Sequence, residues 1–448
     1  MFNWRDRAVD LMGSVFFRGT MPPRADDFAS LAQHGVRIEQ ADPENDNLIW
    51  YLRASHPAWG DAEIFCPRGM PPPPRQLIDF EHNLSSDEKE TAAAGRSPVL
   101  VRLPSSKRDV LRDRKSLLRY FGAVMGDDGV LAIDHIAQRM WSRGALDDEL
   151  SHEADVDIVA LYTLHVVGSD GSDDDEAQAD WLHTHGLAEM GFFDFDILRP
   201  ANELGDIAAD ALRAIAFAIV EGEVSKTTPR WQLAYPTGDV RFVDVADFNR
   251  RADTDIKHLR GTNPEADEDH NHDRAILCEP SGKFLGRWLD KLKPSKFLSG
   301  SFDEEAMFQL SPAASELAEA RAKHTYPLFR KLAEELKEFE LPLLAKIGYV
   351  VDGAADDQRE YLWFEVHELF DDAVDATLGN EPFHLARMKA GQRGVHKIDA
   401  MNDWAIFTPI GTINPRNTHP AREIRAHREE FRSVMAQAKA ASEKEQRS

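Results

Sequence analysis

The sequence predicts an α+β protein of several domains, and three observations carry that reading. Its 448 residues exceed what one hydrophobic core serves, about 150 residues per domain giving about three domains, each able to bury a core without disulfides or metals. Period-two runs of apolar residues alternate with runs spaced by three, four and seven, so strands and amphipathic helices are interleaved along the chain. Turn-forming glycine, proline and serine separate these runs in most places.

Taken in order, Leu48-Ile49-Trp50-Tyr51-Leu52 and Ala62-Glu63-Ile64-Phe65-Cys66 read as strands, ended by the stiff run Pro71-Pro72-Pro73-Pro74. Ser85 and Glu88 have the spacing of a capping box for a helix through the alanines near 92–94. After Gly95, Pro98 to Leu103 reads as a strand. A helix over 107–125 follows, with Val110, Leu111, Leu117, Leu118, Phe121, Val124 and Met125 on its apolar stripe, and then a strand from Val130 to Ile133, a β-α-β pattern.

Val156 to Val167 reads as one long strand, and 169–180 as an acidic loop with six carboxylates and no base. A helix over 206–220 is apolar on most sides, as a buried helix would be. The stretch 247–273 is polar and irregular. Ser311-Pro312 opens a helix to about 325 that Pro327 should break or kink. Strands at 343–351 and 360–368 follow, and the tail from Pro420 is a charged, alanine-rich helix. The domains so drawn are 1–205, an N-terminal α+β domain; 206–310, a helical and irregular middle region; and 311–448, a β-rich, barrel-like terminal domain preceded by a helix.

Several function classes lose support at once. Seventy-eight acidic residues against 53 basic ones give a formal net charge of −25, which repels phosphate backbones and anionic membranes and favours a basic protein as partner. The two cysteines, Cys66 and Cys278, are far apart and form no Cys-x-x-Cys pair. The amino terminus lacks a sustained apolar h-region, and nowhere do about 18 apolar residues run together. These features predict a cytoplasmic, unanchored chain. No nucleophile elbow, dinucleotide fingerprint or His-Glu-x-x-His occurs, and Ser281-Gly282-Lys283-Phe284 lacks the remaining parts of a P-loop.

The densest chemistry lies in His183-Thr184-His185-Gly186-Leu187. Two imidazoles two apart on a strand share a face, and a short glycine-bracketed turn leads to a second strand bearing Asp194 and Asp196. Zinc is the cofactor such a group would take, with His183, His185, Asp194 and Asp196 as candidate ligands and Glu189 or His165 in reserve. The bland alternative is a pair of half-buried histidines bonded within the fold. His270 and His272 sit in an acidic segment where ligands would not be held in place.

Glu360 to Val366, Leu378-Gly379-Asn380-Glu381-Pro382, Met388-Lys389-Ala390-Gly391, Ile398 and Asp403-Trp404 together resemble the YegJ-like bacterial domain of unknown function. The resemblance covers about 315–420 and implies a small β-rich domain with a Glu-x-x-Trp strand, a Leu-x-Asn-x-Pro turn and an Asp-Trp pair. It departs at Gln392, where an acidic residue is usual, and at Ala376, where glycine often opens the turn. The stretch from Trp50 through the histidine motif resembles the uncharacterised domain that often accompanies it. Neither resemblance implies a reaction. Read physically, Trp363, Glu381, Asp403 and Trp404 either shape the domain or line a groove for a peptide. Two functions follow as expectations: an acidic protein of immunity or regulatory type that binds a basic partner, and, as the alternative, a metal-dependent hydrolase centred on His183 and His185.

Overall fold

The computed structural model describes residues 9–43, 45–106, 108–168, 179–199, 206–235, 238–252, 273–280, 292–295, 307–308, 311–353 and 358–445. Most of the acidic loop and of the polar 247–273 stretch, with His270 and His272, lie outside these.

Seven strands make the first sheet: β1 (Val9–Phe17), β2 (Arg37–Ala41), β3 (Leu48–His56), β4 (Gly60–Pro67), β5 (Ser97–Ser105), β6 (Gly129–Asp134) and β7 (Arg139–Trp141), in the order β2-β3-β4-β5-β1-β6-β7. Every neighbouring pair is antiparallel. β5 and β6 both flank β1, so they run parallel to one another, and the helix Val110–Met125 is the crossover between them. The expected β-α-β unit is thus present, with β1 inserted between its strands.

Alternation places Leu52, Ile64 and Val101 on the inner face, where they pack with Leu117, Leu118 and Phe121 of that helix. Gly13 permits the approach, because a Cβ there would lie 2.3 Å from the Phe121 ring. On the opposite face the short helices Arg75–Phe80 and Ser86–Ala92 cover Phe16, Val130 and Leu131. The capping box forms as expected, Ser85 accepting from the Glu88 N–H while Glu88 accepts from that of Ser85.

The second sheet contains β8 (Thr163–Gly168), β9 (Ala179–His185), β10 (Asp194–Leu198), β11 (Trp231–Gln232), β13 (Asp239–Asp244) and β14 (Arg274–Cys278), ordered β11-β13-β14-β10-β9-β8. β10 and β14 are parallel; the other neighbours are antiparallel. β12 (Ala234–Tyr235) pairs separately with β15 (Met307–Phe308). The long strand expected over 156–167 is instead a 3-10 turn at Ile158–Leu161 followed by β8. Asp157 causes the break: its carboxylate accepts from the Val159 N–H and clamps Arg213 of the buried helix Asp206–Val220 at 2.8 Å. The polar 247–273 stretch begins with a short helix, Val245–Arg251, capped by Asp244.

The third sheet, β16 (Leu343–Val350), β17 (Arg359–Leu369), β18 (Ala373–Leu378), β19 (Arg393–Lys397), β20 (Met401–Thr408) and β21 (Gly411–Ile413), is antiparallel and ordered β19-β18-β17-β16-β20-β21. It is an open sheet whose edges are β19 and β21, so no barrel closes. The helix Pro312–Glu335 packs against it and continues unbroken through Pro327. The proline's ring cannot donate, but Tyr326 and Phe329 on either side are buried in the third sheet's core, and Thr325 donates its hydroxyl to the Arg321 carbonyl at 2.7 Å.

That helix also joins the two halves. Its start, at Ala314 and Leu317, packs into the first core, while Ala322 to Leu332 belong to the third sheet's core. Between them, Arg321 meets Glu149 in a bidentate pair at 2.9 Å, and Lys115 reaches the same carboxylate at 3.1 Å. Arg422 of the helix His419–Ala426 binds Asp148 at 2.8 Å and Glu88 at 3.1 Å. No helix among the described residues is long and apolar enough to cross a membrane.

Candidate functional site

The second sheet turns one face to the large core, through Leu182, Phe195 and Ile197. Its other face carries Trp181, His183 and His185 from β9 and Asp194 and Asp196 from β10, as period two requires. Register does the rest. His165, His183 and Asp196 oppose one another across β8, β9 and β10, so two imidazoles and a carboxylate lie in one row.

His183 and Asp196 are completely buried, with Nδ1 at 2.7 Å from Oδ1. A carboxylate at that nitrogen holds the imidazole proton on Nδ1 and fixes the ring's orientation. The second Asp196 oxygen lies 3.4 Å from Nε of Arg274, itself 1 % exposed and stacked over the Trp181 ring with its guanidinium carbon 5.3 Å from the centroid. Arginine is suited to this place because its planar cation stacks on the indole while its edge faces the carboxylate.

His165 completes a group of three imidazoles. Its ring centroid lies 6.2 Å from that of His183 and 5.9 Å from that of His185, whose own separation is 6.5 Å. His185 in turn places Nε2 at 3.3 Å from Glu189.

Asp194 has a different task. Its carboxylate accepts from the Thr184 hydroxyl at 3.0 Å and from the Leu187 and Ala188 N–H groups at 3.2 Å, closing the turn between β9 and β10. Thr184 is fixed from its other side, accepting from the Phe195 N–H at 2.9 Å. Gly186 enters the turn at φ 129°, and a Cβ there would come within 2.4 Å of the Leu161 carbonyl oxygen. Burial first, and the nearby Glu189 charge second, push the Asp194 carboxyl up to about 7.

The four expected metal ligands therefore share a face but divide into two arrangements, His183 with Asp196 and Asp194 with the turn. Among the described residues no three His, Cys, Asp or Glu side chains form a group that would hold a metal ion as placed. Cys66 and Cys278 are buried and free, and burial raises both thiols, so neither offers a ready thiolate. Sequence reasoning missed Arg274 and the structural task of Thr184. An arginine opening the otherwise apolar run Arg274-Ala275-Ile276-Leu277-Cys278 was the available signal, since a buried strand carries such a charge only opposite an acid.

The expected binding group in the third sheet does not converge. Trp404 is fully buried, stacked on Phe329 at 4.8 Å, and donates its indole N–H to Thr325 at 2.9 Å. Asp403, its neighbour on the other face, accepts the Trp404 N–H and pairs with Arg416 at 2.8 Å. Trp363 lies under the Lys346 ammonium at 5.5 Å, and Glu381 accepts from the Ala390 N–H in a surface turn. These residues hold the sheet and its turns; they do not line a common groove, because adjacent strand positions face opposite sides.

No curated protein and no solved structure matches the chain. Residues 165–278, beginning at the histidine of β8 and ending at the last residue of β14, match the model of a domain described as protein of unknown function (DUF4026) C-terminal.

Proposed function

We propose that this protein is a binding protein that recognises a basic protein partner. The observation that supports it most is where the charges sit. Among the described residues, seven basic side chains (Arg114, Lys115, Arg213, Arg241, Arg274, Arg321 and Arg422) are buried, against five acidic ones (Asp134, Asp157, Asp194, Asp196 and Asp403). Burial among the described residues removes more basic than acidic side chains and so does not absorb the acid excess behind the formal charge of −25. Such a field accelerates encounter with cations and disfavours acidic partners. A regulatory or immunity-type role in the cytoplasm is the specific form of this reading, with residues 315–420 taken as a YegJ-like domain.

The test is affinity enrichment from native lysate at low and at physiological salt, with captured proteins identified and their charge tabulated. A stoichiometric basic partner whose on-rate falls steeply with salt is expected. Capture of acidic proteins alone, or an on-rate indifferent to salt, overturns the reading.

A metal-dependent hydrolase centred on His183 and His185 draws support from one observation, the approach of His165 to both rings. Zinc analysis of the purified chain decides it. Less than about a tenth of an equivalent ends the hydrolase reading, whereas stoichiometric zinc lost in His183→Ala and His185→Ala supports it.

A further inference from the structure

The β2–β5 part of the first sheet shows its outer face to a groove of about 710 Å³ lined wholly by residues of β1 to β5. The short helices that cover the other end of this face do not reach it. Along one row of that face, Glu39 opposes Arg53, Arg53 opposes Glu63, and Glu63 opposes Arg102. The row therefore reads minus, plus, minus, plus across four adjacent strands. Glu63 is held in place by Arg102 and by the Tyr51 hydroxyl, which donates to it at 2.5 Å, while Glu39 and Arg53 are exposed. The row on one side of it is already covered within the chain, Tyr51 and Leu100 being buried, and the row on the other side, Arg37, Ser55 and Asp61, lines the same groove.

The groove lining carries four acidic side chains (Asp10, Glu39, Asp61 and Glu63) against three basic ones (Arg37, Arg53 and Arg102), nearly neutral on a chain of −25, so the attraction that suits the rest of the surface to a cation is weak here. A row that alternates over four positions has another property: read backwards, it is its own complement. We infer that this face is a self-association surface whose occupant is a second copy of the chain. A two-fold axis parallel to the strands, passing between β3 and β4, reverses the order of strands while leaving position along them unchanged. It sets Glu39 against Arg102 of the second copy and Arg53 against its Glu63, each pair occurring twice. Sheets packed face to face stay aligned within about 30°, which keeps the rows opposed over this width. An isologous contact of this kind closes as a dimer.

The patch is small. Strand spacings of ~4.8 Å and a two-residue repeat of ~7 Å give about 270 Å² per copy for two rows across four strands, against about 800 Å² for a stable interface. The dimer is accordingly weak, with Kd on the order of 100 µM. Because two copies of −25 repel at long range, it forms best near 0.15 M salt, where the Debye length of about 8 Å confines that repulsion.

Sedimentation velocity of the full chain, from about 5 to about 300 µM at that ionic strength, tests this with charge swaps. Arg53→Glu makes the row minus, minus, minus, plus, and sets like charges together at both copies of the central pair. Glu63→Arg does the same with opposite sign. Each variant alone should dimerise at least about tenfold more weakly than the unmutated chain. Mixed one to one they are complementary at all four positions, so the mixture should recover dimer to within about threefold of the unmutated chain. Recovery in the mixture also shows that both variants are folded, and thermal melts check each separately. An unmutated chain that stays monomeric to about 300 µM, a dimer indifferent to both swaps, or no recovery on mixing by two variants that melt normally would each overturn the inference.

Discussion

The second and first sheets use the same side chains to opposite ends. In the second, His183, Asp196 and Arg274 are 0 to 1 % exposed and each is tied to its neighbour by the fold. In the first, Glu39 and Arg53 stand in solvent in a row of alternating charge. A buried charge contributes to stability only through the partners that replace its water, and it is costly to strip of any of them. An exposed charge adds little to folding but can direct association. Substitution in the second sheet should thus change stability, and substitution in the first should change what the protein meets.

The sharpest way to break this contrast is Asp196→Ala. It removes the carboxylate that balances Arg274 and orients His183 inside the sheet, and it should cost about 3–5 kcal/mol in urea unfolding. A loss under about 1 kcal/mol would show that the row is not wired as described. Trp404→Ala belongs to the same class. Its ring fills the third core against Phe329 and should cost about 3–5 kcal/mol, with the Thr325 hydroxyl left short of a donor. Unaltered stability would place Trp404 at the surface and reopen it as a partner contact.

How far these residues could be read from sequence follows from how local their partners are. The face shared by His183 and His185, and its return through Asp194 and Asp196, follows from period two and a short turn. Arg274 meets Asp196 only because β10 and β14 pair in parallel across residues far apart in the chain, and no local pattern encodes that pairing. Asp157 looked like one polar residue in an apolar strand; its partner Arg213, on a helix 56 residues on, turns that segment into a cap. Pro327 did not break the helix: propensity assigns a break wherever the donor is lost, whereas burial of Tyr326 and Phe329 keeps the helix continuous. The charge row exists only once strands from 39 to 102 are in register. The fold class was legible from residue spacing; the site's completion and the barrel's failure to close depended on long-range pairing.

A pH experiment sharpens the comparison within the buried groups themselves. Burial first, and the Lys115 charge next, hold His152 down to about 3, so the unfolded chain binds its proton first. Its contribution to stability falls as pH drops from about 6.5 toward 3. Asp194 runs the other way. With its carboxyl raised from 3.8 to about 7, the folded chain holds the proton, and that stabilisation is lost as pH rises through this range. Glu149 acts lower: burial alone would raise it, but Arg321 and Lys115 together outweigh burial and hold it at about 2, so its stabilisation is lost as pH falls from 4.5 through that value. Between about 4.5 and 6.5 the His152 and Asp194 slopes oppose each other. His152→Gln should tilt the stability profile downward with rising pH relative to the unmutated chain, and Asp194→Asn should tilt it upward, each by up to about 1.4 kcal/mol per pH unit. Equal profiles in both variants would remove these two groups from the pH response.

The smallest expected effect is the stability change in Arg53→Glu, and it bears directly on the contrast. Arg53 is exposed, so its loss uncovers no core and leaves no buried acceptor unpaired. The new carboxylate would stand between Glu39 and Glu63, and like charges directly across strands cost a few tenths of a kcal/mol to about 1 kcal/mol in solvent. Salt in the range of 0.15–0.5 M should shrink that difference further by screening. Urea unfolding at a protein concentration of about 1 µM, where a weak dimer is dissociated, measures the folding term free of association. A destabilisation under about 1 kcal/mol, set beside the several kcal/mol of Asp196→Ala, is the result the two-sheet contrast requires. If Arg53→Glu instead unfolded the chain as severely as Asp196→Ala, the outer row would be part of what holds the first sheet together, and its charge pattern could no longer be assigned to association.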